Sequence, residues 1–208
     1  MSTFDPNLKR KLVSLKEVKD TLVFSFVFFV LFAFVGYVMA EVYPTTTGEY
    51  INDFAGMVRL VAELSPIGIL IFIFLNNSFV ALVSSLGGLF FGIFPFFTVV
   101  VNGFVLGIVF HLTVTIESAR FFFWGVFPHG MIEVPVILLS TAIGMWLGGS
   151  FFRFLFMRTE SKHSLVNKIK RAFYTYVMIV IPLLFLSALI EVFITPLLLD
   201  LFFETGSL

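Results

Sequence analysis

TLVFSFVFFVLFAFVGYVMAEV, residues 21–42, carries no charge until Glu41. A helix needs about 20 predominantly apolar residues to cross the hydrocarbon core of a bilayer, and this stretch supplies them. Residues 66–113 are uncharged over their whole length, enough for two more crossings and a turn. The turn is expected in SSLGGLFFGIFP, residues 84–95, where Gly87, Gly88, Gly92 and Pro95 interrupt the helical pattern. Further apolar runs at 130–152 and 172–198 give spans at 21–42, 66–86, 92–113, 130–152 and 172–198. The composition agrees. The 208-residue chain is 59% hydrophobic and 12% charged, against about 25% charged in soluble domains. Its 31 phenylalanines suit helix surfaces that meet acyl chains. The expected fold is all-α, a polytopic membrane bundle of about five transmembrane helices.

Charge then orients the bundle. Lys9, Arg10, Lys11, Lys16 and Lys19 precede the first span, and Arg153, Arg158, Lys162, Lys168, Lys170 and Arg171 separate the fourth from the fifth. An odd number of spans puts both groups on one side, leaving Arg59 and Arg120 on the other. Cytoplasmic loops carry the excess of Lys and Arg, so segment 1–20 is expected in the cytoplasm and tail 199–208 outside, in the cytoplasmic membrane. The charged start argues against a cleavable signal peptide. The absence of Cys excludes disulfides, thiolate-held zinc and a thiol nucleophile. No nucleic-acid partner is expected; the lipid bilayer is the first partner.

Two segments read as short amphipathic helices at the external interface. In residues 49–64, Ile51, Phe54, Ala55, Val58, Val61 and Ala62 recur at helical spacing. Residues 116–127 set Glu117 and Arg120 against a phenylalanine run and Trp124.

The polar residues inside the spans carry the functional signal. An ionisable group there costs roughly 2.5–3.5 kcal/mol on insertion scales. A rise of 1.5 Å per residue puts His111 about 24 Å along span three and Glu191 about 25 Å along span five. His129 and Glu133 fall in the first two turns of span four. All four therefore share one depth, in the outer half of the bundle. His129 and Glu133 stand at i and i+4 and share a face if the helix is continuous. Together with Glu191 or His111 they would suit Zn²⁺ or a similar divalent ion. Pro135 leaves a choice between a helix running from Pro128, with the Met131 carbonyl freed, and a broken turn before a helix that starts at Pro135. A hydrogen-bonded network without metal, and a proton or ion pathway, are the alternatives. Asn76, Asn77 and Asn102 form an uncharged set suited to hydrogen bonds between helices. Gly88–Gly92, Gly103–Gly107 and Gly144–Gly148 are GxxxG pairs, expected to pack span three against span four, with a homodimer contact as the alternative. Pro182 should kink span five by releasing the Met178 carbonyl.

FLNNSFVAL (74–82), GGLFFGIFP (87–95), VNGFVLG (101–107), PHGMIEVP (128–135) and SALIEVFITP (187–196), in this order and spacing, resemble the stage II sporulation protein M family. The resemblance covers about residues 20–198, and by position the family's polar residues fall on Asn77, Asn102, Gly103, His129, Gly130, Glu133 and Glu191. His111 lies outside that pattern. In spore formers the family's namesake anchors partners that degrade peptidoglycan, but the family also occurs in archaea without such a wall. The resemblance thus implies a non-enzymatic membrane scaffold or subunit with membrane or envelope protein partners. The alternatives are a divalent-metal protein, structural or hydrolytic, using His129, Glu133 and Glu191, and a transporter or channel. No residue names a substrate, so a non-enzymatic role is expected.

Overall fold

A computed structural model describes residues 11–45, 47–48 and 63–203. Lys9, Arg10, Arg59, nearly all of the 49–64 element and the end of the 199–208 tail lie outside the described residues. Among the described residues there is no strand, and five helices are long and apolar enough to cross a membrane.

The first three are α1 (Leu15–Val42), α2 (Pro66–Gly87) and α3 (Ile93–Ile116). The turn between α2 and α3 is short because Phe91 and Gly92 both take positive φ, 57° and 77°. Glycine adopts that region at no steric cost, which is why the apolar turn closes at Gly92. The fourth, α4 (Ala119–Phe152), runs unbroken through Pro128 and Pro135. The helical alternative for 128–134 is the one found. Residues from Ala119 onward, expected as part of a separate interfacial element, continue directly into it. The Ser118 hydroxyl accepts from Phe121 N–H at 3.0 Å and starts the helix there. At 34 residues, α4 is about 51 Å long, well beyond a hydrocarbon core of about 30 Å. The helix is therefore several turns longer than one crossing needs, and Arg120 and Trp124 lie in its first two turns.

The fifth is one rod from Lys162 to Phe203, made of α5 (Lys162–Thr175), α6 (Ile181–Leu189) and α7 (Thr195–Phe203). Two π-helical segments, Tyr176–Val180 and Ile190–Ile194, join them. Each π segment ends two residues before a proline, Pro182 and Pro196. A proline lacks an N–H and its ring presses on the carbonyl four residues back. A turn widened to i→i+5 relieves that crowding: Ile181 N–H reaches Tyr176 O, and Thr195 N–H reaches Ile190 O.

The chain forms two compact units. The first holds the described residues up to Phe28, with Ser78–Val99 and Pro135–Leu183. Its core is Val18, Ala142, Ile143, Leu147 and Ala172, and small residues let its backbones touch. A Cβ on Gly88 would overlap the Gly144 carbonyl, and one on Gly148 would lie 2.6 Å from both Gly88 O and Gly92 N. The Gly88–Gly92 and Gly144–Gly148 pairs therefore meet each other. Charged groups here form pairs and two hydroxyls reach carbonyls of other helices, while the buried hydroxyls of Ser78, Ser84 and Ser85 have no partner among the described residues. Thr21 donates to Ala142 O (2.9 Å), Tyr176 to Ser78 O (2.9 Å), and Arg171 to Glu17 (2.7 Å). Lys168 bonds Glu160 at 2.8 Å.

The second unit comprises Phe29–Asn77, Val100–Val134 and the residues from Leu184. Here Gly103 and Gly107 pack on α1 instead of α4: a Cβ on either would overlap the carbonyl of Phe29 or Ala33. Large apolar side chains such as Phe34 (65% exposed) and Leu75 (58%) point outward, as expected of a surface solvated by lipid.

Candidate metal centre

The site is built where the first half of α4 meets the end of the rod, in the second unit. Trp124 stacks on Phe202 with centroids 4.1 Å apart, and Phe121 meets Phe203 edge-on at 5.3 Å. The Arg120 guanidinium lies over both partner rings, 5.6 and 5.4 Å from their centroids. Further along, the buried Ser187 hydroxyl donates to the His129 carbonyl at 3.1 Å. These contacts clamp two antiparallel helical stretches at both ends of a short interval. Glu191 of the rod lies within it, His129 of α4 stands at its Ser187 end, and Glu133 lies one turn beyond.

Continuity of α4 puts His129 and Glu133 on one face, one turn apart. Glu191 comes from the π segment Ile190–Ile194, and π turns inside α-helices are frequent at functional sites. One ligand atom from each of His129, Glu133 and Glu191 lies within 4.8 Å of the others, and all three residues are half-buried. His129 Nδ1 is buried and has no hydrogen-bond partner among the described residues. An unused imidazole nitrogen beside two carboxylates is the donor set of a three-ligand divalent site. Metal–ligand bonds of about 2.0–2.2 Å put donors roughly 3.5 Å apart, so small side-chain rotations would close the set. Two carboxylates this near each other in an apolar segment also require a counter-charge or shared protons.

The other expected members lie elsewhere. His111, at the end of α3, is buried against α1, with Nδ1 3.5 Å from a Glu41 oxygen and its ring edge-on to Tyr37 at 5.1 Å. It is not in the His129–Glu133–Glu191 group. Glu41 had marked only the end of a span, and its pairing could have been suspected from its depth. On α2, Asn76 donates to the neighbouring Asn77 side chain at 3.3 Å, and Asn102 is half-buried on α3. Ser187, Trp124 and Phe202 hold the site without having been legible in it. A serine in an apolar helix is too common to signal anything, and an aromatic near a helix end reads as an interface anchor.

The comparisons agree with this architecture. The stage II sporulation protein M family matches residues 25–196, an interval that contains all three candidate ligands. An uncharacterized protein of Methanocaldococcus jannaschii is 27% identical over 122 residues, covering 58% of this chain and 67% of its own. No solved structure matches. With five apolar helices and a family match over most of its length, the chain is a multi-pass membrane protein belonging to the stage II sporulation protein M family.

Proposed function

We propose that this protein is a membrane scaffold whose helix bundle is closed by a divalent cation of the zinc type, held by His129, Glu133 and Glu191. One observation carries the reading: three ligand atoms from two helical stretches lie within 4.8 Å of one another, and one of the three residues keeps a buried, unpaired ring nitrogen. A dication would neutralise the two carboxylates and use that nitrogen, linking α4 to the rod. The positive-inside asymmetry of the charged segments supports a cytoplasmic start for the chain, and so an external depth for the site. Membership of the family supports envelope or membrane proteins as partners for the bundle. A three-ligand set leaves one coordination position for water, which favours metal-assisted hydrolysis as the second reading.

The test is metal content and zinc titration of detergent-purified protein. Wild type should bind one zinc per chain and gain thermal stability as it does. Glu133→Gln and His129→Ala should lose both effects while eluting as folded protein. Absence of bound metal after zinc supplementation of the wild type would sink the proposal. Zinc binding without thermal stabilisation would remove the closing role and leave the second reading.

A further inference from the structure

In the second unit, two side-chain atoms are buried without a hydrogen-bond partner among the described residues. One is His129 Nδ1; the other is Thr195 Oγ1. Thr195 is only 7% exposed. In the first unit, the buried hydroxyls of Ser78, Ser84 and Ser85 also have no partner among the described residues. Several helical threonines elsewhere in the chain, by contrast, satisfy themselves on their own helix. Thr98 donates to Phe94 O (3.0 Å), Thr115 to His111 O (2.8 Å), and Thr175 to Arg171 O (2.9 Å). The equivalent acceptor for Thr195 is the carbonyl of Glu191, and that bond is not made.

The backbone around Glu191 is equally unusual. In an α-helical register the Glu191 carbonyl would receive the Thr195 N–H, but that N–H goes to Ile190 O. In the π register its donor would be residue 196, which is proline and has no N–H. Thr195 thus stands one turn beyond Glu191, at i+4 and on nearly the same face. Its Cα–Cβ bond tilts back toward the helix N-terminus, over that turn.

We propose that Thr195 is a positioning residue of the cation site, its hydroxyl donating to the Glu191 carboxylate oxygen that does not ligate. The proposal rests on the cation reading of His129, Glu133 and Glu191. Metal-ligating carboxylates are themselves hydrogen-bonded as a rule, and losing such an outer partner costs about 10–100-fold in metal affinity. Rotation of the Glu191 carboxylate into the ligand set would turn its other oxygen toward that hydroxyl.

The experiment is a competition titration with zinc on wild type, Thr195→Val and Thr195→Ser, each paired with a thermal midpoint in chelator. Thr195→Val should bind zinc about 10–100-fold more weakly, and Thr195→Ser should stay close to wild type. Without metal, Thr195→Val should unfold at the wild-type midpoint or above it, since it removes an unpaired buried hydroxyl. Equal zinc affinity in wild type and Thr195→Val would overturn this role while leaving the cation site standing. A lowered metal-free midpoint in Thr195→Val would overturn it too, by showing a structural bond. Failure of the wild type itself to bind zinc removes both proposals together.

Discussion

The two units differ in how they hold their charged groups. In the first, charges are paired, Arg171 on Glu17 and Lys168 on Glu160. Thr21 and Tyr176 bond the carbonyls of Ala142 and Ser78, while the polar atoms left buried without partners among the described residues are the neutral hydroxyls of Ser78, Ser84 and Ser85. Its backbones meet through glycines that leave no room for a side chain. In the second, ionisable groups are gathered at Glu133 and Glu191, and His129 and Thr195 keep buried atoms without partners. Association of helices in lipid draws on close packing and internal hydrogen bonds, because lipid is as apolar as the helix faces. A unit that uses both is arranged for stability. One that gathers two carboxylates in an apolar segment carries a cost that a cation can offset.

The sharpest way to break this contrast is to thicken the glycine contact of the first unit. In Gly144→Val, the new carbons would overlap the Ser84 carbonyl and press on Pro95, 3.0 Å away. The expected loss is about 3 kcal/mol or failure to fold, measured by denaturant unfolding in detergent. A near-wild-type result would mean that the close approach is not needed. The opposite sign is expected in the second unit. Glu191→Leu removes one of the clustered carboxylates, so the metal-free protein should gain about 1–3 kcal/mol while zinc binding disappears. A destabilised metal-free variant would show that Glu191 serves packing, and the contrast would fall.

The smallest effect concerns Glu160, between the fourth and fifth helices. The hydrogen bond from Lys168, with help from Ser164 and the charge of Arg153, holds its carboxyl below the ordinary 4.5. A lowered folded value means that its contribution is complete above the unfolded value and fades as pH falls through the folded one. Stability should therefore be level above about pH 4.5 and decline below it. Glu160→Gln should flatten part of that decline in thermal midpoints taken across the acid range. An unchanged acid slope would place the sensitivity in other carboxylates.

Much of this was legible beforehand, for reasons of solvent. Apolar length gives the five helices, and the cost of polar groups in lipid singles out His129, Glu133 and Glu191. Depth along a helix is simple arithmetic, and it put those residues in one layer. Azimuth is not available in the same way, so His111 shared the layer without sharing the site; it turns to Glu41 instead. The glycine pairs announced close contacts but not their partners, since GxxxG is the same pattern whether it meets α1 or α4. Pro182 pointed to a released carbonyl, but not to the widened turn that absorbs the crowding. Pro196 gave no warning of the second one. A proline near a helix end is ordinary in sequence, and only the hydrogen-bond register distinguishes a stop from a π segment.

That register has a consequence for how the chain can vary. A π segment equals one extra residue taken up inside a helix without displacing the stretches on either side. Each residue in an α-helix advances the face by about 100°. Deleting one residue within 190–194 would return the rod to plain α-helix and turn Phe202 away from Trp124 relative to Ser187. The spacing between Ser187 and Phe202 is therefore under a constraint that no single side chain expresses. A relative lacking this widened turn should show a one-residue gap at this point, and should have lost the geometry that brings Glu191 to His129 and Glu133.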